Sequence, residues 1–392
     1  MVMIITSAAL GISPGSADEW SDITGEASGQ KVYWYAWGGA QTYNDYIEWV
    51  GERVFEEHNI EIIHVKLGDT AEAVRKVLAE KTAGRLSNGT VDLIWINGEN
   101  FKTMKEEDLL YGPFVDKLPN FKLVDTEQNP GAIQDFTILT EGLESPWGMA
   151  KLIFIYDQAT LKSPPRSIQS ILDYARTHPG RISYPAPPDF SATTFLKQAL
   201  LELTAAPEEL QKPARDNFDR VTEPLWLYLD ALVPHLWKQG EEYPENSDKL
   251  IEMLGAGDVD LAYSFQIGGV SNAIEEGILP DSARSFVLDQ GTIGNTHFVA
   301  IPFNSAHKEA AMVVANFLMS PEAQARKQNP LYWGEQSVLA SHLLSDADKK
   351  YFDDIPRGIA TLSHEELGRT LPEPHPSWIT QIEEVWLRRY SN

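Results

Sequence analysis

Residues 31–39 read Lys-Val-Tyr-Trp-Tyr-Ala-Trp-Gly-Gly, and this stretch decides the fold. Valine, tyrosine and tryptophan favour extended backbone, so the part up to Trp37 is predicted to be a buried β-strand. Gly38 and Gly39 follow directly and predict a turn at which another molecule can approach the backbone closely.

The segments after this strand alternate between helical and extended patterns. Apolar residues recur at helical spacing over 42–58 and over 69–83, whereas 61–67 and 91–96 have the composition of short strands. The order strand–helix–strand–helix–strand predicts a parallel α/β sheet with right-handed crossovers.

A second α/β unit is predicted over about 150–285, which agrees with the two domains expected for 392 residues. Further strands are predicted at 152–156, 181–184, 259–265, 284–288 and 296–302. Further helices are predicted at 167–177, 191–203 (capped by Ser191), 250–254, 307–319, 345–353 and 376–390.

The charge balance excludes several classes of partner. The chain has 32 Lys and Arg residues against 57 Asp and Glu residues, a formal net charge of −25. Nucleic-acid phosphates and anionic lipids would be repelled, because no run of Lys or Arg forms a concentrated basic patch. Neither nucleic acid nor a membrane surface is therefore expected as a partner.

Signatures of catalysis and of cofactor binding are missing from the sequence. The chain has no cysteine, which excludes disulfides, thiolate catalysis and Cys-ligated metals. It also lacks a Gly-rich phosphate loop, a His-Glu-x-x-His pair and a Gly-x-Ser-x-Gly elbow, and its nine histidines have no metal-ligand spacing. We therefore expect no enzyme activity, no cofactor and no bound metal.

Residues 1–17 have the character of an export signal. Residues 1–12 are apolar or small, and Pro-Gly-Ser-Ala at 14–17 is similar to the stretch before a cleavage site, although the usual basic residues are missing. A chain without cysteine also suits an oxidising compartment. Both features predict export to the periplasm.

Loops at the carboxyl ends of the predicted strands carry the candidate ligand-binding residues, because ligands sit beyond those ends in an open parallel sheet. The loops combine a tryptophan face, glycines that expose N–H groups and small polar side chains. The start of the helix at 191–203 is also suited to cradling an anion or a polar group. The candidates are Trp37, Gly38, Gly39, Asp69, Thr70, Asn97, Gly98, Glu99, Asn100, Asp189, Ser191, Thr193, Thr194, Ser264, Gln266 and His297.

Several longer segments carry a family resemblance. They are Val-Tyr-Trp-Tyr-Ala-Trp-Gly-Gly (32–39), Asp-Thr-Ala-Glu-Ala-Val (69–74), Asp-Leu-Ile-Trp-Ile-Asn-Gly-Glu-Asn-Phe (92–101), Pro-Trp-Gly-Met-Ala (146–150), Pro-Pro-Asp-Phe (187–190), Thr-Thr-Phe-Leu-Lys-Gln (193–198), Gly-Thr-Ile-Gly-Asn-Thr-His-Phe-Val-Ala-Ile-Pro-Phe-Asn (291–304), Ala-Asn-Phe-Leu-Met-Ser-Pro-Glu-Ala-Gln (315–324) and Pro-Glu-Pro-His-Pro-Ser-Trp (372–378). They resemble the type II periplasmic solute-binding proteins of ABC importers, and within these the YnjB-type branch, over about 30–390.

The resemblance implies an α/β fold of two lobes, each with a mixed, mostly parallel sheet flanked by helices, and a ligand cleft that closes about a hinge. It places the first lobe at 31–147 and 293–392, the second at 148–292, and the hinge crossings near 146–156 and 288–297. Trp147, Asn295 and Thr296 join the candidate residues from these crossings. The implied partners of this protein, expected to be a monomer, are a small-molecule ligand, an ABC permease and its ATPase subunit.

The class of ligand stays open at this point. A polyamine would suit Asp69, Glu99 and Asp189 with the faces of Trp37 and Trp147. A thiamine-like molecule would stack on Trp or Tyr and place a phosphate at 191–194, whereas a ferric site would want an adjacent Tyr-Tyr pair, which is missing. A flat or cationic organic molecule is favoured over an oxyanion. The alternatives in function are an exported hydrolase or lyase on the same scaffold, and a ligand sensor or receptor subunit.

Overall fold

The structure is a computed structural model that describes residues 17–127, 129–363 and 366–391. The expected signal-like segment over 1–17 lies outside these residues, apart from Ala17, where the first helix begins. Within the described part, no helix is both long enough and apolar enough to cross a membrane.

Thirteen α-helices and eleven β-strands form in the described residues. The strands are β1 (Lys31–Trp37), β2 (Glu61–Leu67), β3 (Leu93–Ile96), β4 (Gln134–Asp135), β5 (Ile138–Leu139), β6 (Glu144–Lys151), β7 (Ile153–Asp157), β8 (Leu261–Ser264), β9 (Ala283–Phe286), β10 (Thr292–Ala300) and β11 (Thr370–Leu371). The helices are α1 (Ala17–Ala27), α2 (Gln41–His58), α3 (Ala71–Thr82), α4 (Glu99–Glu106), α5 (Ile168–Thr177), α6 (Phe190–Leu203), α7 (Phe218–Leu232), α8 (Ser247–Ala256), α9 (Gly269–Glu275), α10 (Lys308–Leu318), α11 (Pro321–Gln328), α12 (Asp346–Asp353) and α13 (Pro376–Tyr390).

The first sheet has the strand order β11-β10-β3-β1-β2, with β6 also paired to β10. β1 runs parallel to β2 and β3, as the strand–helix alternation over 31–96 predicts, whereas β10 runs antiparallel to β3 and β6. Because β1, β2 and β3 point the same way, the loops that begin at Gly38, Gly68 and Asn97 gather at one edge of the sheet.

Each face of this sheet packs against its own helices. Val32 and Trp34 are fully buried on the face that α2 and α10 cover. Ile94 and Ile96 are buried on the opposite face, with α3 and α4. Side chains alternate between the two faces of a strand, so a central strand with helices on both sides must be apolar on both.

The second sheet has three strands in the order β8-β7-β9, and both pairings are antiparallel. We expected a mostly parallel sheet in each lobe, and the second sheet differs. β7 carries the chain away from the first sheet and β9 carries it back, so these two neighbouring strands run in opposite directions.

The strand predicted at 181–184 does not form in the described structure. The backbone there makes single hydrogen bonds to two separate segments: Asp260 N–H donates to Arg181 C=O at 2.8 Å, and Trp237 N–H donates to Ile182 C=O at 2.7 Å. The segment is buried among helices, which explains its apolar composition without a strand ladder.

Two adjacent strands connect the two cores. β6 and β10 pair from Glu144↔Ala300 to Gly294↔Lys151. β6 continues through Leu152, whose N–H donates to Ile293 C=O at 2.8 Å, into β7 of the second sheet. These strands lie where the crossings near 146–156 and 288–297 were expected, and their action as a hinge stays a prediction.

The C-terminal helix packs in the second core, although we expected 293–392 to lie in the first lobe. Trp378, Ile382 and Trp386 of α13 are buried among the helices of the second core. The indole N–H of Trp386 donates to Tyr184 OH at 3.0 Å. We therefore use "first lobe" for the first sheet with α1–α4 and α10–α12, and "second lobe" for the second sheet with α5–α9 and α13.

Candidate functional site

Four aromatic side chains pack together beside the carboxyl ends of β1 and β3, and we call them the aromatic wall. Trp37, Tyr43 and Trp95 are half-buried, whereas Trp333 is 4% exposed and packs against Tyr43. Tyr43 stacks on Trp333 with ring centroids 4.1 Å apart and lies 5.2 Å from Trp37 and 6.0 Å from Trp95. Such a wall suits a flat ring or a cation, since both bind aromatic faces.

The glycine turn after β1 sets the position of Trp37. A Cβ atom on Gly39 would fall 2.2 Å from the Trp37 ring, so the indole lies directly over this glycine. α2 then begins at Gln41 and brings Tyr43 to the wall in its first turn. The turn was predicted from sequence as a place of close approach, and here the approaching group is the chain's own tryptophan.

Asp189 caps the helix α6 on the second lobe, where Ser191 was expected to be the cap. Its Oδ1 accepts hydrogen bonds from the N–H groups of Ser191 at 2.9 Å and Ala192 at 3.1 Å, and also from the Ser191 hydroxyl. The Thr194 hydroxyl donates to Phe190 C=O at 2.8 Å. The predicted anion cradle at the start of this helix is thus filled by the chain's own carboxylate.

Removing this cap should destabilise the second lobe measurably. We expect Asp189→Ala to lower the free energy of unfolding by about 1 kcal/mol, because two N–H groups at the start of α6 lose their acceptor. Asp189→Asn is the matched control, since an asparagine oxygen caps almost as well. Urea unfolding measures both variants, and equal losses would contradict the capping role.

Carboxyl groups from both lobes lie near the wall and near α6. Burial raises the pKa of Asp248, and the neighbouring Glu252 and Asp189 raise it further. Burial likewise raises the pKa of Glu383, which accepts a hydrogen bond from the Thr193 hydroxyl at 2.6 Å and is also repelled by Glu99. These groups give the space between the lobes a negative potential.

Two buried lysines near α6 and the wall are each paired with a glutamate. Lys197 Nζ lies 2.7 Å from Glu373 Oε2, both side chains are 1% exposed, and the ammonium lies 5.3 Å from the ring centroids of Phe136 and Phe190. Lys327 Nζ lies 2.7 Å from Glu335 Oε2. Neither lysine therefore offers an uncompensated positive charge to a ligand.

Lys327, Glu335 and His297 form a buried ionic cluster beneath the aromatic wall. His297 Nδ1 lies 2.7 Å from Glu335 Oε1, and Lys327 Nζ lies 3.6 Å from the ring centroid of Trp147. Burial lowers the pKa of Lys327 to about 8, with Glu335 opposing the shift. Burial also opposes ionisation of Glu335, but His297 and Lys327 outweigh it and hold its pKa below the ordinary value.

The structure distributes the predicted site residues over three places. The first lobe holds nine of them at the ends of strands, in the loops that follow and at the start of α4: Trp37, Gly38, Gly39, Asp69, Thr70, Asn97, Gly98, Glu99 and Asn100. The second lobe holds Asp189, Ser191, Thr193, Thr194, Ser264 and Gln266, and the crossing strands hold Trp147, Asn295, Thr296 and His297. Gln266 of the second lobe lies close enough to Tyr43 of the wall to lower the pKa of the Tyr43 hydroxyl, although burial and Glu335 raise that pKa more strongly.

Some predicted residues do not face the space between the lobes. Trp147 is fully buried behind Trp95, with ring centroids 5.0 Å apart, and Thr194 is fully buried within α6. Asp69 is exposed, and its Oδ1 accepts from Ala71 N–H at 2.8 Å at the start of α3. Gly98 N–H is already bound, since it donates to Asp135 at 2.6 Å.

The sequence analysis did not identify three residues of the aromatic wall, nor the buried pair of Lys327 and Glu335. Tyr43 falls within the predicted helix 42–58 and Trp95 within the predicted strand 91–96, where an aromatic residue commonly belongs to the core. Trp333 stands in Tyr-Trp-Gly-Glu, and an aromatic pair before a glycine resembles the signal that identified Trp37. Nothing in the sequence links Lys327 to Glu335, because their contact depends on how the chain returns after α11.

Within the described residues, no group of three or more His, Asp or Glu side chains is placed to hold a metal ion.

One family model and one relative match most of the chain. The model of the bacterial extracellular solute-binding protein family matches residues 50–347. Protein YnjB of Escherichia coli strain K12 is 42% identical over 375 residues, which cover 95% of this chain and 94% of that protein.

Solved structures share the fold at low sequence identity. The periplasmic binding protein AfuA from Actinobacillus pleuropneumoniae, with fructose-6-phosphate bound, is 13% identical with a TM-score of 0.62, covering 92% of this chain and 98% of that one. The spermidine/putrescine substrate-binding protein PotD from Streptococcus pneumoniae, in complex with calcium and HEPES, is 17% identical with a TM-score of 0.60, covering 91% and 99%. These identities establish the fold alone, and one fold serves unlike ligands.

Proposed function

Because the chain belongs to the bacterial extracellular solute-binding protein family and is a solute-binding component of an ABC transporter, we propose that it captures a flat, positively charged organic molecule between its lobes. A thiamine-like compound is our specific example of such a ligand. The molecule would lie against the aromatic wall, with its charge toward the carboxylates of the second lobe. It would be held by binding alone, without chemical turnover.

The observation that carries this proposal is that aromatic side chains lie beside a group of acids, Asp248, Glu252 and Asp189, whose charges repel one another. The wall offers Tyr43, supported by the buried Trp333, beside Trp37. Asp248 lies close enough to Tyr43 to raise its pKa, after the larger effect of burial and that of Glu335. A cation that loses its water between the lobes gains both aromatic contacts and a neutralising charge.

An oxyanion fits this space less well. The N–H groups at the start of α6 already bind Asp189, and an incoming anion would meet that carboxylate. Lys197 and Lys327 are both buried and paired. An anionic ligand would therefore have to displace existing partners before it gained any donor.

Solute-binding proteins of ABC importers work with a membrane permease, and we propose that this chain delivers its ligand to such a permease and its ATPase after export to the periplasm. We propose that it acts as a monomer and has no enzyme activity. A sensor subunit would bind the same ligand, and a pull-down of permease components from membranes separates the two roles.

Ligand-induced stabilisation tests the proposal directly. The purified protein would be melted with thiamine, spermidine, glucose or phosphate, each at about 100 times a micromolar dissociation constant, where binding adds about 2.7 kcal/mol of stability. We expect thiamine to raise the melting temperature, phosphate to leave it unchanged, and chromatography to recover all the thiamine. Stabilisation by phosphate alone, or consumption of the compound, would contradict the proposal.

A further inference from the structure

Four consecutive residues, 333–336, each contact a different part of the molecule. Trp333 belongs to the aromatic wall and stacks on Tyr43 at 4.1 Å. The carbonyl of Gly334 accepts a hydrogen bond from Gly268 N–H of the second lobe at 3.1 Å. The next two residues contact the crossing strands. We call these residues the coupling segment.

The contact between Gly334 and Gly268 leaves no room for a side chain. A Cβ atom on Gly334 would fall 2.7 Å from Gly268 Cα, and one on Gly268 would fall 2.8 Å from Gly334 Cα. Gly334 also has φ +81°, which glycine adopts without strain. Nearby, Asn272 Nδ2 donates to Pro330 C=O at 2.6 Å. The second lobe therefore rests on the backbone of this segment.

The other two residues hold the segment to both crossing strands. Glu335 Oε1 lies 2.7 Å from His297 Nδ1 on β10. Met149 N–H of β6 donates to Gln336 C=O at 3.1 Å. Thr296 and Met149 are themselves partners in the pairing of β10 with β6. The segment thus joins the ligand surface, the second lobe and the strands that connect the lobes.

Within the coupling segment, Glu335 has the side-chain contacts that cost the most free energy to break. Its side chain is 2% exposed and that of its partner Lys327 is 0% exposed, so separating them would leave buried charges unpaired. The same carboxylate holds His297. Glu335 therefore ties β10 and α11 to the segment that carries Trp333 and Gly334.

We propose that Glu335 is a positioning residue that couples ligand contact at Tyr43, which stacks on the buried Trp333, to closure of the lobes. This inference rests on the proposed function, because coupling requires a ligand captured between the lobes. Glu335 itself need not touch the ligand. Its loss should uncouple the second lobe from the wall, so the closed form becomes rarer and apparent affinity falls in the same proportion.

Distances between spin labels measure closure without any ligand. The chain has no native cysteine, so Glu48→Cys on α2 and Glu223→Cys on α7, both exposed and on different lobes, give one clean label pair. Pulsed electron paramagnetic resonance would compare the distribution of distances between the labels in the wild type and in Glu335→Gln. We expect the ligand-free variant to shift to longer distances, and thiamine to bind about tenfold more weakly if the closed fraction falls tenfold.

Two further variants separate positioning from simple loss of stability. Asp260→Asn weakens the Arg181–Asp260 ion pair within the second lobe and should lower the melting temperature without changing the distance distribution. Glu335→Gln combined with Lys327→Met also removes the buried ammonium that Glu335→Gln alone leaves unpaired. The double variant should therefore melt at a higher temperature than Glu335→Gln, while its lobes still close less often than those of the wild type. A double variant that closes like the wild type would overturn the inference.

The ligand-free comparison also keeps the two proposals apart. If thiamine fails to bind even the wild type, the proposed ligand is wrong, while a distance shift in ligand-free Glu335→Gln still supports the coupling. If the wild type binds thiamine and Glu335→Gln shows unchanged distances and affinity, the coupling is wrong and the proposed function stands.

Discussion

Trp37→Ala is expected to weaken binding of the flat cationic ligand by about 30- to 150-fold, the largest effect on affinity in the protein. A buried aromatic anchor contributes about 2–3 kcal/mol to binding, and each 1.4 kcal/mol is about tenfold in affinity. Trp37 is half-buried and lies over Gly39, so its ring is already oriented before the ligand arrives. Isothermal titration with thiamine measures the change.

Trp49→Ala is the matched control for this prediction. Trp49 is also a half-buried tryptophan of the first lobe, but its ring lies 6.0 Å from Phe317 and 4.5 Å from the Arg326 guanidinium, outside the aromatic wall. Its loss should reduce the melting temperature and leave affinity within a factor of two. If the two variants bind thiamine equally well, the aromatic wall is not the ligand surface.

The fold of the first lobe could be predicted from sequence because its signals are local. β1 and β2 have the bounds that the sequence indicates, and α2 begins one residue earlier than the predicted 42–58. Buried strands and amphipathic helices carry their own periodicity. The resemblance added what periodicity could not, and the expected two-lobed type II fold and solute-binding function are confirmed.

The second lobe was harder to predict because strand direction and backbone partners are not local properties. The apolar composition of 181–184 predicts a strand, yet the backbone there accepts isolated hydrogen bonds from the N–H groups of Trp237 and Asp260. Serine is a common helix cap, which led to the prediction of Ser191, but the Asp189 carboxylate accepts the hydrogen bonds from the first N–H groups of α6. The antiparallel second sheet follows from the path of the crossing strands, which no local pattern encodes.

The candidate site also combines residues that local sequence patterns indicate with residues that only tertiary contacts bring together. The positions of Gly38 and Gly98 just after β1 and β3 could be predicted from the strand bounds, whereas their part in ligand binding stays a prediction. Tyr43 and Trp95 line the wall but have the spacing of core residues, so periodicity assigned them to packing. Lys327 lies on α11 and Glu335 lies in the segment after it. Their contact depends on the tertiary path of the chain between them, which no local sequence pattern indicates.

Glu144→Gln is expected to stabilise the protein at pH 8 by about 2 kcal/mol, because burying an unpaired carboxylate is costly. Glu144 is 1% exposed, and within the described residues neither of its carboxyl oxygens has a hydrogen-bond partner. Burial raises its pKa well above the ordinary value, and the neighbouring Asp135 raises it further while Lys105 opposes the shift. Glutamine keeps the shape and carries no charge.

The sign of the pH dependence follows from the raised pKa. Folded Glu144 holds its proton at pH values where the unfolded residue has lost it, so the folded state binds more protons and stability falls as pH rises above about 4.5. The same direction applies to Asp135, whose pKa burial raises although Gly98 N–H opposes the shift. The advantage of Glu144→Gln should therefore be small near pH 4 and should grow as the pH rises.

Chemical unfolding between pH 4 and pH 8 checks this window. Glu107→Gln is the matched control, since Glu107 is an exposed glutamate just after α4 and its loss should leave the pH profile unchanged. Glu144 is the better position to change than Asp135, because the Asp135 carboxylate also holds Gly98 N–H at 2.6 Å. A Glu144→Gln protein that is less stable than the wild type at pH 8 would show that the buried carboxylate is compensated, and the pH argument would fail with it.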